Sequence, residues 1–73
     1  MIKVQFTSNY GMVEKFHKLC EQLGVECHED KNFKKMLFGC CAPDVGYIVD
    51  IDSFEPLKNL SKRELWVENL MEY

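Results

Sequence analysis

Hydrophobic residues change their spacing within the first 24 positions of this chain. Ile2, Val4 and Phe6 alternate with polar residues, and this period of two predicts a strand with one buried face. From Met12 the apolar residues follow helical spacing and predict an amphipathic helix. They stand at positions 12, 13, 16, 19, 20 and 23. Gly24 favours a helix end, so the chain begins with a strand and a helix that packs against it.

The middle of the chain predicts three more strands. Residues 25–29 alternate like a strand, the polar cluster 29–32 predicts a turn, and residues 33–40 resume an extended pattern, which together favour a hairpin. After a second turn at residues 41–44, residues 45–51 form the most apolar of the predicted strands. This strand is expected at the centre of the sheet.

The last third of the chain predicts helical structure. Asp52 or Ser53 is suited to cap a short helical turn. Ser61 and Glu64 have the spacing of a capping box, which favours the start of a final helix running towards the end of the chain. A strand over residues 64–70 is the competing interpretation.

These elements predict one α+β domain over residues 1–73, in the order β-α-β-β-β-α, with a mainly antiparallel sheet and two helices on one face. A chain of this length buries only ~60% of the surface that its unfolded form exposes, so its core is small and leaves little room for an internal substrate pocket. Asp50 and Asp52 share a strand face, but no companion base or metal-binding loop accompanies them. We therefore expect no enzymatic activity and no cofactor.

The compartment is indicated by the first residues and by the length of the apolar segments. The opening strand pattern lacks the basic flank and long apolar stretch of a secretory signal. The longest mostly apolar stretch, residues 36–43, is far shorter than the ~20 residues of a membrane-spanning helix. We expect a cytoplasmic protein with no membrane association, and therefore free thiols in a reducing environment.

Charge is unevenly distributed along the chain, whose net charge is −3. Residues 1–36 carry six Lys and five acidic residues, whereas residues 37–73 carry three basic and seven acidic residues. Binding to nucleic-acid backbones requires clustered Lys or Arg, and no large excess of them is present. Direct nucleic-acid binding is not expected, and the acidic C-terminal half suits a protein partner with a basic surface.

Aromatic residues accompany these acids and predict the binding face of the protein. The predicted partner-binding residues are Asp50, Asp52, Glu55, Glu64, Trp66, Glu68, Glu72 and Tyr73. An ordinary solvated face is the competing interpretation, because Trp66 also fits the apolar stripe of the last predicted helix. The leading hypothesis is a small non-catalytic regulator, adaptor or inhibitor, of the accessory or phage type, that docks through its acidic C-terminal face.

Four cysteines support an alternative hypothesis, a thiol-redox or metal-binding protein that uses Cys27, His28, Cys40 and Cys41. Neighbouring side chains on a strand point to opposite faces, so neither adjacent pair is suited to hold one metal ion unless a turn re-aims a residue. Cys27 would instead meet Cys40 or Cys41 across the hairpin. The fourth cysteine, Cys20, lies on the apolar stripe of the first helix and is expected in the core.

A third hypothesis concerns assembly. So small a domain gains stability by pairing through an exposed strand edge, which would give a homodimer.

Overall fold

The computed structural model describes residues 1–8, 11–34, 42–63 and 70–73. Within these residues the elements follow the order β-α-β-β-α-β. They are β1 (Ile2–Phe6), α1 (Met12–Leu23), β2 (Cys27–Glu29), β3 (Val45–Val49), α2 (Glu55–Arg63) and β4 (Met71–Glu72). No helix in these ranges is long and apolar enough to span a membrane.

The four strands of the described ranges form one antiparallel sheet in the spatial order β2-β3-β1-β4. β3 lies between β1 and β2, so β1 and β2 run parallel to each other and α1 connects them. α2 connects β3 to β4 in the same way, with β1 between the two strands. This is the connectivity of the split β-α-β, or ferredoxin-like, arrangement. The predicted α+β class with an antiparallel sheet is confirmed.

Helix α1 has the bounds that the apolar stripe predicts. Gly24 ends it with φ of 68°, a conformation that glycine adopts without the steric cost of a Cβ atom. The Gly24 amide donates to the Glu21 carbonyl, and the Val25 amide donates to the Cys20 carbonyl, each at 3.1 Å. These two bonds satisfy carbonyls of the last helical turn and direct the chain into β2.

The core lies between the helices and one face of the sheet. The β1–β3 register pairs Ile2 with Val49 and Val4 with Tyr47, which places alternate residues of both strands on the inner face. The two helices contact each other and cover this face. Their buried core residues are Met12, Phe16, Leu19 and Cys20 from α1, and Leu57 from α2.

The last predicted elements differ from the structure. The sequence predicts that Ser61 caps a final helix, but Ser61 lies inside α2, where its hydroxyl donates to the Lys58 carbonyl at 2.9 Å. The chain ends in strand β4 and not in a helix, because Met71 and Glu72 pair with Gln5 and Val4 of β1.

Two predicted elements fall largely on residues that the structure does not describe. Of the predicted strand 33–40, Phe33 and Lys34 are described and are not in a strand, and the rest lies in the range 35–41 outside the described residues. The choice between helix and strand over residues 64–70 likewise falls mostly on residues 64–69, outside the described part of the chain.

Candidate functional site

Four element ends meet at one end of the sheet. β2 begins where β3 finishes, because Cys27 pairs with Val49. Just beyond this pair the Asp50 amide donates to the Glu26 carbonyl at 2.9 Å, which joins the two chain segments. Three residues separate the end of α1 from β2, and five residues separate the end of β3 from α2. The turn into β2 and the connection from β3 to α2 are therefore neighbours in space.

In the part of the chain that the structure describes, this end of the molecule carries five exposed carboxylates. They are Glu21, Glu26, Asp50, Asp52 and Glu55, and we call them the acidic end. The sequence places no Lys or Arg in the segments 19–30 and 44–57, which contribute all five. α1 also has no basic residue in its last turn, so the negative end of its dipole adds to the field of the carboxylates.

Apolar side chains lie among these charges. Val25, Ile51 and Phe54 are half-buried and pack against the core, which leaves part of each side chain accessible. Ser53 lies between Ile51 and Phe54, and its hydroxyl accepts a hydrogen bond from the Glu55 amide at 3.3 Å. This bond satisfies one of the free amides at the start of α2. The acidic end thus combines fixed backbone, exposed charge and partly exposed apolar surface.

The predicted partner-binding residues divide into three groups. Asp50, Asp52 and Glu55 belong to the acidic end, whereas Glu64, Trp66 and Glu68 lie outside the described residues. Further along α2 the exposed charges are basic: Lys58, Lys62 and Arg63. The described part of the C-terminal half is therefore divided between the two signs and is not uniformly acidic.

Glu72 and Tyr73 lie at the β4 edge of the sheet, away from the acidic end. Glu72 is exposed on β4, and the Tyr73 amide continues the pairing by donating to the Lys3 carbonyl at 2.9 Å. The Tyr73 hydroxyl donates to Asp30 Oδ2 at 2.5 Å, and its ring meets the Phe33 ring edge-on with centroids 5.5 Å apart. Tyr73 therefore holds residues 30–33 against the sheet face that the helices leave uncovered.

The Tyr73–Asp30 contact shifts the pKa values of both groups. The hydrogen bonds from the Tyr73 hydroxyl and the Asn32 amide lower the pKa of the Asp30 carboxyl below its ordinary value, since they stabilise the charged form. Burial, followed by the hydrogen bond to Asp30, raises the pKa of Tyr73 to about 12. Tyr73 thus has an internal structural role, although part of its side chain stays exposed.

A cleft of about 330 Å³ lies beside this contact, at the other end of β2 from the acidic end. Two of its carboxylates have internal partners. Asp30 binds Tyr73 and the Asn32 amide, and Asp44 accepts hydrogen bonds from the Ser8 amide at 2.8 Å and the Ser8 hydroxyl at 3.0 Å. These carboxylates fix the loops that carry them.

The side chains of Cys27, His17 and Tyr47 are in contact between α1 and the sheet. Cys27 Sγ is 3.6 Å from His17 Nδ1, and His17 Nε2 is 3.5 Å from the Tyr47 hydroxyl. The His17 ring stands nearly perpendicular to the Tyr47 ring, with centroids 5.5 Å apart. His28 pairs with Ile48 and points to the other sheet face. Cys27 is thus accompanied by His17, and Cys40 and Cys41 lie outside the described residues.

Cys20 adjoins this group from the core side. It is buried, as the apolar stripe predicts, and it is free, as is Cys27. Burial, followed by the effect of the neighbouring Cys27 thiol, raises the pKa of Cys20. Burial and the charge of Glu29 likewise raise the pKa of Tyr47, so its hydroxyl stays protonated at neutral pH. Among the described residues, no group of three or more His, Cys, Asp or Glu is arranged to hold a metal ion.

The residues that sequence reasoning missed are Glu21 and Glu26 of the acidic end, and His17 beside Cys27. Glu21 and Glu26 belong to the N-terminal half of the sequence, so a comparison of the charges of the two halves does not group them with the C-terminal carboxylates. The lack of Lys and Arg over residues 19–30 was an available signal. For His17, the signal was its position three residues before Cys20, which places both on adjacent parts of α1.

Comparison with family models, curated proteins and solved structures found no match to this chain.

Proposed function

We propose that this chain is a small non-catalytic docking protein that binds a basic protein surface through its acidic end and acts as a regulator, adaptor or inhibitor. The observation that supports this most is the gathering of five exposed carboxylates from four element ends, without a Lys or Arg in the segments that carry them. In the folded chain, residues from both halves of the sequence contribute to one charged region.

Electrostatic attraction would act first, during encounter. The screening length at physiological salt is about 8 Å, so neighbouring carboxylates within such a region act together on an approaching partner. Complementary charge raises association rates from roughly 10⁵–10⁶ M⁻¹s⁻¹ towards 10⁸–10⁹ M⁻¹s⁻¹ at low salt. The field therefore favours basic partners and repels acidic surfaces such as nucleic acid.

Apolar contact would then hold the complex. Exposed ion pairs contribute only about 0–1 kcal/mol each, so charge alone gives a weak complex. Ile51 and Phe54 supply partly accessible apolar surface within the acidic end. Because Phe54 also packs against the core, its position is fixed before binding, and little conformational entropy is lost there on association.

The experiment compares two variants that change net charge equally. Asp50→Lys with Asp52→Lys reverses two carboxylates of the acidic end, whereas Glu14→Lys with Glu72→Lys reverses two exposed carboxylates elsewhere, on the first turn of α1 and on β4. Tagged wild type and both variants are incubated with lysate of the source organism at low salt, and bound proteins are quantified by mass spectrometry.

We expect a basic protein that binds wild type and the Glu14/Glu72 variant and is lost from the Asp50/Asp52 variant. Capture of the same proteins by all three chains, or a partner with an acidic binding surface, would contradict the proposal. Recovery of the chain's own second copy as the only partner would favour the homodimer hypothesis instead, and a mass measurement in solution would check it.

A further inference from the structure

The turn between α1 and β2 brings two cysteines together. Cys20 lies in the last turn of α1, and Cys27 begins β2. Gly24 reverses the chain between them, and the bond from the Val25 amide to the Cys20 carbonyl fixes the reversal at 3.1 Å. Cys27 packs against the core cluster that contains Cys20, and its thiol is near enough to raise the pKa of the Cys20 thiol across this turn. A bond between them would link the last turn of α1 to the start of β2 across this turn.

The surroundings of the two thiols are unequal. Cys27 is half-buried at the edge of the sheet, whereas Cys20 is only 3% exposed. An oxidant in solution therefore reaches Cys27 first. Cys20 remains a thiol because burial raises its pKa, and it is positioned to react second.

His17 supplies a base for the accessible thiol. It lies one helical turn before Cys20, and its Nδ1 is 3.6 Å from Cys27 Sγ, within the range of a hydrogen bond to sulfur. In the tautomer that carries its hydrogen on Nε2, that N–H donates to the Tyr47 oxygen at 3.5 Å. Nδ1 is then free to accept the proton of Cys27. This is the arrangement of nucleophile, base and orienting group that activates thiols elsewhere.

We propose that Cys27 and Cys20 form a reversible disulfide when the protein meets a hydroperoxide, with Cys27 as the reacting thiol and His17 as the base. This inference does not depend on the docking function, since it rests on different residues. It concerns neither His28 nor the Cys40–Cys41 pair.

The chemistry balances in two steps. The Cys27 proton passes to His17, and the thiolate attacks the hydroperoxide, so that an S–O bond forms, the O–O bond breaks, and the leaving oxygen takes the proton from His17. Cys27 is then a sulfenic acid and the peroxide is reduced to water or an alcohol. The Cys20 sulfur attacks Cys27, an S–S bond forms, the S–O bond breaks, and hydroxide leaves with the Cys20 proton as water. A low-molecular-weight thiol reverses the reaction by exchange.

Tryptic digestion provides a direct readout in the full chain. Residues 19–31 contain no internal Lys or Arg, so Cys20 and Cys27 fall on one peptide, whereas Cys40 and Cys41 fall on the separate peptide 36–58. The native protein is treated with hydrogen peroxide, its remaining thiols are alkylated, and the peptides are analysed by mass spectrometry. We expect peptide 19–31 to lose two hydrogen atoms and to escape alkylation, and dithiothreitol to restore both thiols.

Two histidine variants test the base with a matched control. An unassisted cysteine is only a few per cent thiolate at neutral pH, so we expect His17→Gln to slow the oxidation of Cys27 by roughly tenfold. His28→Gln alters the neighbour of Cys27 on the opposite sheet face and should leave the rate unchanged. In a Cys20→Ala variant, dimedone should trap the sulfenic acid on Cys27.

Three results would overturn the inference. One is a doubly alkylated peptide 19–31 after exposure to peroxide. Another is equal oxidation rates in His17→Gln and wild type, which would remove His17 as the base. A third is oxidation confined to peptide 36–58, which would assign the redox chemistry to Cys40 and Cys41. The first and third need only the wild-type protein, so they hold even where a variant fails to fold.

Discussion

Gly46→Ala should destabilise the protein, although the same change at an open strand position would stabilise it. Gly46 is buried in β3, and a Cβ atom there would lie 2.6 Å from the Phe33 ring and 2.5 Å from the Tyr73 hydroxyl. Atoms at that distance must move by about 1 Å, and such overpacking costs roughly 1–3 kcal/mol. The lower entropy of the unfolded alanine chain offsets about 0.4–1 kcal/mol of this. We expect a net loss of about 1–2 kcal/mol.

Urea unfolding followed by circular dichroism measures this loss, and thermal unfolding should show a midpoint lower by roughly 5–15 °C. Phe33→Ala removes the ring that the new Cβ would meet. The double variant should therefore be more stable than the sum of the two single changes predicts, by about 1 kcal/mol. A Gly46→Ala protein as stable as wild type, or strict additivity in the double variant, would show that Phe33 does not cover β3 as described.

Three further predictions concern the same structure. Tyr73→Phe should reduce the loss of stability on acidification. The pKa of Asp30 is lowered in the folded state, so Asp30 stabilises the fold at pH values above the ordinary aspartate pKa of about 3.9. This stabilisation is lost as pH falls through the pKa that Asp30 has in the folded state. Urea midpoints at neutral pH and below pH 4 compare the two proteins, and parallel pH profiles would refute the link. Asp30→Asn should lower the Tyr73 pKa from about 12 towards 10, as followed by NMR of the tyrosine ring carbons, and an unchanged value would exclude Asp30 as a cause. Phe16→Ala should lower the free energy of unfolding by about 3–5 kcal/mol, because the Phe16 ring is fully buried. Its centroid lies 5.0 Å from that of the Phe6 ring and 5.1 Å from that of the Tyr47 ring. A shift in the thermal midpoint of only a few degrees would contradict that packing.

Sequence patterns predict an element correctly where its bounds depend only on residues close to one another in the chain. The stripe from Met12 and the glycine at position 24 predicted α1 correctly, because periodicity and chain reversal are both properties of neighbouring residues. β3 was also predicted, although the structure ends it at Val49. Ser61 was misplaced because a serine inside a helix and a serine that caps one share the same local pattern, and only the bond to the Lys58 carbonyl distinguishes them.

The candidate sites depend on contacts between elements, which single-sequence patterns do not specify. Glu26 joins Asp50 only because β2 and β3 pair. Cys27 meets His17 only because the turn at Gly24 folds β2 back beside α1. The sequence identified Asp50, Asp52, Glu55 and Cys27 as residues of interest, and tertiary structure supplied their neighbours.

The association rate with the captured partner, measured against ionic strength, tests the docking function most directly. Wild type and the Glu14/Glu72 variant should bind quickly at low salt and lose rate steeply as salt rises, because both retain the acidic end. The Asp50/Asp52 variant should bind slowly and respond weakly to salt. Equal rates and equal salt dependence for all three chains would show that the acidic end does not guide binding.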